Sequence, residues 1–533
     1  MEKRLLLAFA LSMAVFFVYT EFFAPRPVVQ PTPPADAPEQ VTELEQPALP
    51  TEPSVARPAE MEEHDVAEEL VTIESDRVQA VFSTTRGLQH WYLKHYRVEP
   101  DPDEPLVDLG VSPTVDSSLG LAILPDAEGV PFVLEASTDS SLELLARHND
   151  LVEQRRWNLE GYQANLNWRV ENTSDTPIVI SPMMVVRDGI NYDEVSMYHR
   201  HSPILARGSE IERPKERDVE SEPSYGSVSW VGVDQQYFLK AAVPREFSRD
   251  NQGRIYPVAR AENVMVVASE LTLPRQVIRP GESWSTTIDF YMGPKRITEL
   301  RTVDPRLEEA VNLGFFGWLA RPLLALLNFF YGIIGNYGVA IILVTVIIKI
   351  IFYPLTKKSF TSMKAMQRVA PKLEEIKKKY EKDPERRNKE MMNLYRTEGV
   401  NPLGGCLPIL LQIPVFFALY QVLLYSIELR HAPFMLWITD LSAPEDLFAL
   451  ALGGFELPIR LLPLIMGASM VLQQKMMPTT MDKMQQQIMM LMPIIFTFIF
   501  WGFPSGLVLY WLVNNLLTIG QQWWIGRGMK VAE

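Results

Sequence analysis

Lys349 is the residue whose setting most demands a chemical explanation. It is a full charge inside the apolar run Gly335–Leu355, which is long enough to span a bilayer as a helix. A lysine at that depth costs roughly 3 kcal/mol on insertion scales. Thr345, Lys349 and Tyr353 recur every four residues, so on one continuous helix they share a face. Two readings follow. The lysine stem can snorkel toward the headgroups, or the polar stripe can line a water-filled groove and offer its charge to a substrate.

Polar residues at helical spacing in other apolar runs favour the groove. Gln412 lies one turn before Phe416, Ser469 and Gln473 are four apart, and Tyr510, Asn514 and Thr518 form a column followed by Gln521 and Gln522. Any one of these is ordinary interhelical hydrogen bonding. Together with Lys349 they predict a shared hydrophilic groove. Methionines crowd the stretch from Met466 to Met492, as suits either a surface that accepts varied apolar partners or simple core packing.

Helical spans must position this stripe. Four further apolar runs are Leu407–Ile427, Leu461–Gln474, Ile488–Phe503 and Leu507–Ile525, and the second and third are short enough to imply local bilayer thinning. Leu5–Phe23, behind Lys3 and Arg4, reads as an uncleaved N-terminal anchor. Phe315–Ile334 reads as an interfacial helix, because a span starting only a few residues later leaves little room to turn round. Lys and Arg concentrate in residues 357–400, the strongest positive-inside signal, giving both termini in the cytoplasm and five spans in the C-terminal half. In that segment Met363, Met366, Ala370, Leu373, Ile376 and Tyr380 mark an amphipathic helix that Pro371 is expected to kink. Asp383 and Pro384 can start a second helix with Met391, Leu394 and Tyr395 on its apolar face. The hairpin, with Lys377, Lys378, Lys379, Arg386 and Arg387 near its turn, is either a docking surface for a cytosolic partner or a solvated linker.

The formal charge of −15 belongs to the segment before these spans and argues against nucleic acid as a partner. Residues 25–63 are rich in Pro, Glu and Ala and read as a disordered linker. Residues 64–296 read as β: alternating runs such as Val78–Phe82, Gln163–Val170, Val264–Val267 and Trp284–Tyr291 are punctuated by turn residues, as in an antiparallel sandwich. His199 and His201 could pair on a strand as metal ligands with Asp193 and Glu194, but Arg200 between them favours a solvated loop. The single cysteine, Cys406, excludes an intramolecular disulfide, a Cys-rich metal site and a redox pair. No nucleophile elbow, zinc motif or phosphate loop is found, so no catalytic residue, metal or cofactor is assigned.

Five ordered motifs bring a family into view: Tyr353-Pro-Leu-Thr356, Ser362-Met, Asn401-Pro-Leu-Gly-Gly-Cys406, Pro478-Thr-Thr480 and Phe503-Pro-Ser-Gly-Leu-Val-Leu-Tyr510. In order and spacing they resemble the YidC-type bacterial membrane protein insertases, in the Gram-negative form with a large periplasmic domain. The resemblance is dense from about Asn336 to Gly528, and earlier it is mainly one of architecture, with a local match around Gln235–Phe238.

It implies a multidomain, polytopic α-helical membrane protein of the inner membrane. That protein has an N-terminal anchor (1–24), a periplasmic linker (25–63), an all-β periplasmic supersandwich (64–296) similar in fold to sugar mutarotases, and interfacial helices (297–335). A five-helix core (336–528) carries a cytoplasmic hairpin (357–400), and a short tail (529–533) follows. The groove would be open to cytoplasm and lipid and closed outside, with substrate approaching between the Leu407–Ile427 and Ile488–Phe503 spans. The implied partners are nascent inner-membrane proteins, the Sec translocon, the ribosome or signal recognition particle receptor, and membrane lipids. Lys349 falls at the family's groove arginine, Thr345 at a groove threonine and Trp511 at a substrate-contacting tyrosine. Lysine keeps the charge without the bidentate fork, and Trp511 keeps the ring without the hydroxyl. The short, barely basic tail departs from relatives whose longer tails contact the ribosome. The expected substrate groove is thus Lys349, Thr345, Tyr353, Gln412, Phe416, Tyr510, Trp511, Asn514 and Thr518. A secondary transporter with a midplane charge is the alternative; it should show paired interrupted helices and internal repeats. A mutarotase-like periplasmic enzyme is a third reading.

Overall fold

The computed structural model describes residues 68–530, except 111–116, 125–130, 149, 193–194, 196–199, 209, 262, 401–406, 446, 453–454 and 477–482. The expected N-terminal anchor and linker, the motifs at Asn401–Cys406 and Pro478–Thr480, and His199 with Asp193 and Glu194 lie outside the described residues.

From Leu70 to Pro294 the described chain is almost entirely antiparallel β-structure. A nine-stranded sheet runs in the order Glu210–Glu212, His201–Arg207, Trp230–Gln235, Phe238–Pro244, Ser283–Pro294, Gln163–Asn172, Leu151–Glu160, Ser141–His148, Val133–Ser137. A five-stranded sheet has Val264–Thr272 at its centre, and a four-stranded sheet is built from the first strands. Alternation explains the layering. Along Gln163–Asn172, Ala164, Leu166, Trp168 and Val170 are buried while their neighbours are not. Trp91, Trp168 and Trp230 fill the core. Trp91 donates its indole N–H to the Met292 carbonyl at 2.7 Å, and Trp168 donates to Glu153 Oε1 at 2.8 Å, as buried indoles require.

The C-terminal half is helical. We label Gly317–Ile334 α1, Tyr337–Ile351 α2, Tyr353–Lys379 α3, Pro384–Thr397 α4, Leu407–Tyr425 α5, Leu461–Met476 α6, Lys483–Ile499 α7 and Ser505–Lys530 α8. α1 packs on α2 and α5, α8 packs on α2 and α6, and α6 packs on α7.

The chain reverses between α1 and α2 in only two residues. Gly335 takes the left-handed conformation (φ +72°), which a residue with a Cβ adopts only with strain. Asn336 then caps α2 by accepting from the Val339 N–H at 3.0 Å. The Tyr331 and Tyr337 rings stack 3.8 Å apart across the turn. The expectation that so short a connection could not turn round is therefore corrected. By length and composition α1 could itself cross a membrane.

A second correction concerns the polar stripe. α2 ends at Ile351, and α3 leaves it at an angle of 62°. Pro354, in the first turn of α3, suits a helix start and cannot donate to a continuing ladder. Tyr353 thus belongs to α3 and does not continue the face of Thr345 and Lys349. α3 itself runs through Pro371 to Lys379 without ending.

α3 and α4 pack together as a helical hairpin. Asp383 accepts from the Arg386 N–H at 3.0 Å, and Pro384 occupies the first turn of α4. Lys372 and Glu398, 2.6 Å apart, tie the two helices together. At the turn, Lys379 and Arg386 lie 5.5 and 5.3 Å from the Tyr380 ring centre. Lys378, Lys379 and Arg386 are exposed, while Lys377 and Arg387 are half-buried.

The outer end of α5 is keyed into the β domain. Ile427 joins the β core. Arg430 donates to the carbonyls of Arg97 and Val98 at 2.7 and 3.0 Å, and Gln236 donates to that of Leu424 at 3.2 Å. Arg200 donates to the Asn312 carbonyl at 2.7 Å and covers the Tyr425 ring at 3.8 Å. His201 opens a strand and bonds Asp188 at 3.0 Å. Arg200 and His201 are therefore not a solvated loop: the facing sheet supplies the carboxylate and the helical half supplies the ring, neither of which is near in sequence.

One element was not anticipated. Between α5 and α6, Phe448–Leu452 and Phe455–Ile459 pair as an antiparallel hairpin. Their Ala and Leu content does not advertise strands, although two glycines between them suit a tight turn.

Candidate functional site: a polar column in the helical bundle

α8 organises the site. Read inward from Ser505, the helix presents an aromatic level at Tyr510 and Trp511, then amides at Asn514 and Asn515, then Thr518, then Gln521. Trp511 and Thr518 are about 10 Å apart along the axis at 1.5 Å per residue.

At the aromatic level Trp511 stands between α5 and α7. Its ring meets Phe416 edge-on at 5.0 Å, Phe500 at 5.0 Å and Phe496 at 5.8 Å. Phe503 extends the cluster to Tyr420 at 6.3 Å. These large rings close the outer end of the column, where backbone bonds from Ser505 and Gly506 to Ala443 and Leu441 fasten α8 to the loop above it.

Below the rings the amides pair across helices. Gln412 on α5 donates to Asn514 Oδ1 at 2.7 Å. Asn515 points about 100° away and donates to Ser469 Oγ on α6 at 3.1 Å. Adjacent asparagines thus serve two different interfaces. Asn515 was missed in the sequence reading; an Asn-Asn pair inside an apolar span, where one face cannot use both, was the available signal.

Lys349 lies one level deeper. It is half-buried, near the inner end of α2, and its ammonium is directed across the bundle to Thr518 Oγ1 at 2.8 Å. Thr518 in turn donates to the Asn514 carbonyl at 2.6 Å, and Gln521 donates to the Lys349 carbonyl at 3.2 Å. Among the described residues no carboxylate pairs with Lys349. The charge is hydrogen-bonded but not neutralised, so it remains available to an anionic group.

The other expected groove residues sit differently. Thr345 and Tyr510 are each only 1 % exposed, and Thr345 spends its hydroxyl proton on the Ile341 carbonyl at 2.7 Å. They belong to the wall behind the column. Tyr353 lies beyond the bend. Lys349, Gln412, Phe416, Trp511, Asn514 and Thr518 are brought together, all half-buried. Below them Lys364 of α3 donates to the Gly526 carbonyl at 3.4 Å, fixing the root of the hairpin to the inner end of α8.

Apolar helix faces surround this column. Phe498, Ile494, Leu464 and Leu472 are exposed at 73, 52, 45 and 51 %, as lipid-facing residues would be. Gly467 lets α6 and α7 approach closely: a Cβ there would lie 2.1 Å from Thr497 Oγ1.

Comparison with known proteins places this architecture. The family model described as 60Kd inner membrane protein matches residues 329–532, and that of the YidC periplasmic domain matches residues 70–326. The membrane protein insertase YidC of Pelobacter propionicus is 40 % identical, with 99 % of each chain covered. That of Geobacter metallireducens is 38 % identical over the whole of both chains. Among solved structures, an active YidC insertase crystal structure with its first transmembrane domain resolved matches 85 % of this chain and 92 % of its own, at 18 % identity and a TM-score of 0.37. The transporter alternative finds no support among these relatives. The protein is a membrane protein insertase of the inner membrane with an all-β periplasmic domain, and its clients are nascent membrane proteins. The chain belongs to the YidC family of membrane protein insertases.

Proposed function

We propose that the column from Gln412 and Asn514 to Thr518 and Lys349 is the groove that receives the polar, translocated part of a client. The carrying observation is Lys349 itself: a cation inside the apolar bundle, held by Thr518 and unpaired with any described carboxylate. An acidic side chain of the client entering from the cytoplasm meets this charge. At 4 Å and an effective dielectric of 20 the attraction is about 4 kcal/mol, before desolvation. The amides of Gln412 and Asn514 and the Thr518 hydroxyl replace part of the water that the client's backbone loses. Each unpaired backbone group would otherwise cost several kcal/mol in hydrocarbon. Among the described residues Gln521 Oε1, beside Lys349, is buried without a partner, and a hydrated or client-filled groove would satisfy it.

The Phe416–Trp511–Phe500 rings then mark the limit of polar entry, and the apolar client segment leaves between α5 and α7 into lipid. No bond is made or broken in this sequence, so no catalytic residue is assigned. The topology that serves it has both termini in the cytoplasm, α2, α5, α6, α7 and α8 as the five spans, and the α3–α4 hairpin in the cytoplasm. The hairpin's exposed Lys378, Lys379 and Arg386, with Lys377 and Arg387 beside them, suit docking of the ribosome, the signal recognition particle receptor or the Sec translocon.

A photo-reactive amino acid placed at Trp511 or Phe416, in cells carrying a stalled nascent membrane protein, tests the reading. Crosslinks to the client at these positions, and none at the lipid-facing Leu472, are expected. Equal crosslinking at all three would contradict a defined route.

A further inference from the structure

A cavity of about 850 Å³ lies at the seam between the β domain and the outer end of the helical bundle. Ligand pockets occupy about 300–1,000 Å³. The floor of this one is Leu424, Gly502 and Pro504. Leu424 is in the last turn of α5, Gly502 ends the short helical turn after α7, and Pro504 immediately precedes α8. These are the same three helices whose rings close the polar column, through Phe416, Phe496 and Trp511. Phe503, between the two floor residues Gly502 and Pro504, is 5.0 Å from the Phe500 ring and 6.3 Å from that of Tyr420. The cavity therefore sits directly outside the aromatic closure.

Its walls are polar and come from both sides. The β domain supplies Gln235 and Gln236, and the loops after α5 supply Arg430, His431 and Asp440, all half-buried. Each of these groups is held by one bond and has another left over. Asp440 Oδ1 accepts from the N–H and the hydroxyl of Ser442, both at 2.7 Å. Gln235 donates to Asp188 Oδ2 at 2.8 Å, and Gln236 donates to the Leu424 carbonyl. Arg430 uses a terminal nitrogen on the Arg97 and Val98 carbonyls, and its other one faces His431 Nδ1 at 3.5 Å. Asp440 Oδ2, both glutamine Oε1 atoms, Arg430 Nε and His431 Nε2 have no hydrogen-bond partner among the described residues. Fixed groups offering both donors and acceptors suit a polypeptide, whose backbone carries one of each per residue. Arg200 and Arg430 outnumber Asp440, the one carboxylate among the described lining residues. That surplus favours an acidic segment.

We propose that this cavity is a receiving site for the client's translocated segment, taking acidic polypeptide as its ligand. The proposal rests on the groove reading and extends it to the outer side of the closure. A client whose apolar segment leaves between α5 and α7 has its polar end at the outer ends of those helices, which form the cavity floor. Held there by Arg430 and the two glutamines, that end does not slip back past the rings, and crossing becomes directional. From Trp511 to Pro504 the chain rises about 10 Å at 1.5 Å per residue. An extended client advances about 3.3 Å per residue, so a tail of about four residues beyond Trp511 reaches the cavity.

The test uses the full chain in cells, with a photo-reactive amino acid at Gln236, at His431, at Trp511 in the closure, or at Arg156. Arg156 is exposed on the strand Leu151–Glu160 and does not line the cavity. The probe is a stalled nascent membrane protein with an acidic translocated tail, either long or cut to roughly two residues, too short to reach. With the long tail, crosslinks to the client are expected to be several-fold stronger at Gln236 and His431 than at Arg156. With the short tail, the Trp511 crosslink is expected to remain while those at Gln236 and His431 fall to the Arg156 level. Trp511 crosslinks with Gln236 and His431 no stronger than Arg156 on the long tail would overturn the receiving site and leave the groove reading intact. Crosslinks at Gln236 and His431 that survive the short tail would overturn it too, because the contact would not be made by the translocated segment. Absence of crosslinks at Trp511 itself would overturn the groove reading, and the receiving site with it.

Discussion

The ammonium of Lys349 on α2 donates to the hydroxyl of Thr518 on α8 at 2.8 Å, so the buried charge is aimed sideways into the bundle and not along the helix toward the headgroups. Snorkelling would have sent the stem toward the inner end of α2, only two residues away. Thr518→Val removes the oxygen while keeping the shape. Hydrogen bonds to charged groups are worth about 1.5–3 kcal/mol, so insertion of an acidic-tailed reporter should fall roughly tenfold, with Thr518→Ser close to wild type. Equal rates for Thr518→Val and wild type would show that the lysine needs no such partner.

Trp511 should be replaceable by Tyr or Phe but not by Ala. The indole fills the space among Phe416, Phe496 and Phe500. Its removal should cost about 2–4 kcal/mol, somewhat below a fully buried Trp because the side chain is half-buried. Unfolding in detergent, followed alongside insertion of a client with a weakly apolar span, should show both losses for Trp511→Ala and neither for Trp511→Phe.

Gly467→Val should destabilise the α6–α7 crossing, since even a Cβ would meet Thr497 Oγ1 at 2.1 Å. Overpacking of this kind typically costs 1–3 kcal/mol. Thr497→Gly should recover part of the loss in the double variant. No recovery would mean that the strain lies elsewhere.

The β domain has its own electrostatic vulnerability. Burial alone would raise the Asp188 carboxyl, but the Lys240 ammonium at 3.2 Å and the hydrogen bond with His201 outweigh it and hold the group well below the usual carboxylate range. A depressed folded-state value stabilises the protein above the unfolded-state value near 3.9, and that stability is lost only as pH falls through the folded value. Wild type should therefore keep its β domain folded well into acid. Lys240→Met leaves a buried carboxylate without its cation, a loss of about 3–5 kcal/mol, and should move acid unfolding to higher pH. Thermal unfolding of the full chain between pH 3 and 7 measures both.

The sequence revealed what depends on local pattern. The strand at Gln163–Asn172 showed as alternation, the start of α4 as Asp383-Pro384, and the buried cation as a lone Lys349 in an apolar run. What it concealed depends on residues distant in the chain or on single backbone angles. The bend that removes Tyr353 from the Lys349 face turns on Pro354. The reversal before α2 turns on the left-handed Gly335. The wall position of Thr345 shows in its burial, and its hydroxyl is spent on the Ile341 carbonyl, which competes with any role on the groove surface. Arg200 looked like a loop residue because its partners, the Asn312 carbonyl and the Tyr425 ring, lie more than a hundred residues away. The ribbon at Phe448–Ile459 escaped because alanine and leucine favour helices.

The most direct test of the charged groove is complementation of a depleted host with wild type, Lys349→Ala and Lys349→Arg, scoring insertion of one reporter with an acidic translocated tail and one with a neutral tail. The account predicts that Lys349→Arg supports both, and that Lys349→Ala fails selectively on the acidic tail. Equal insertion of the acidic tail by Lys349→Ala and wild type would contradict it.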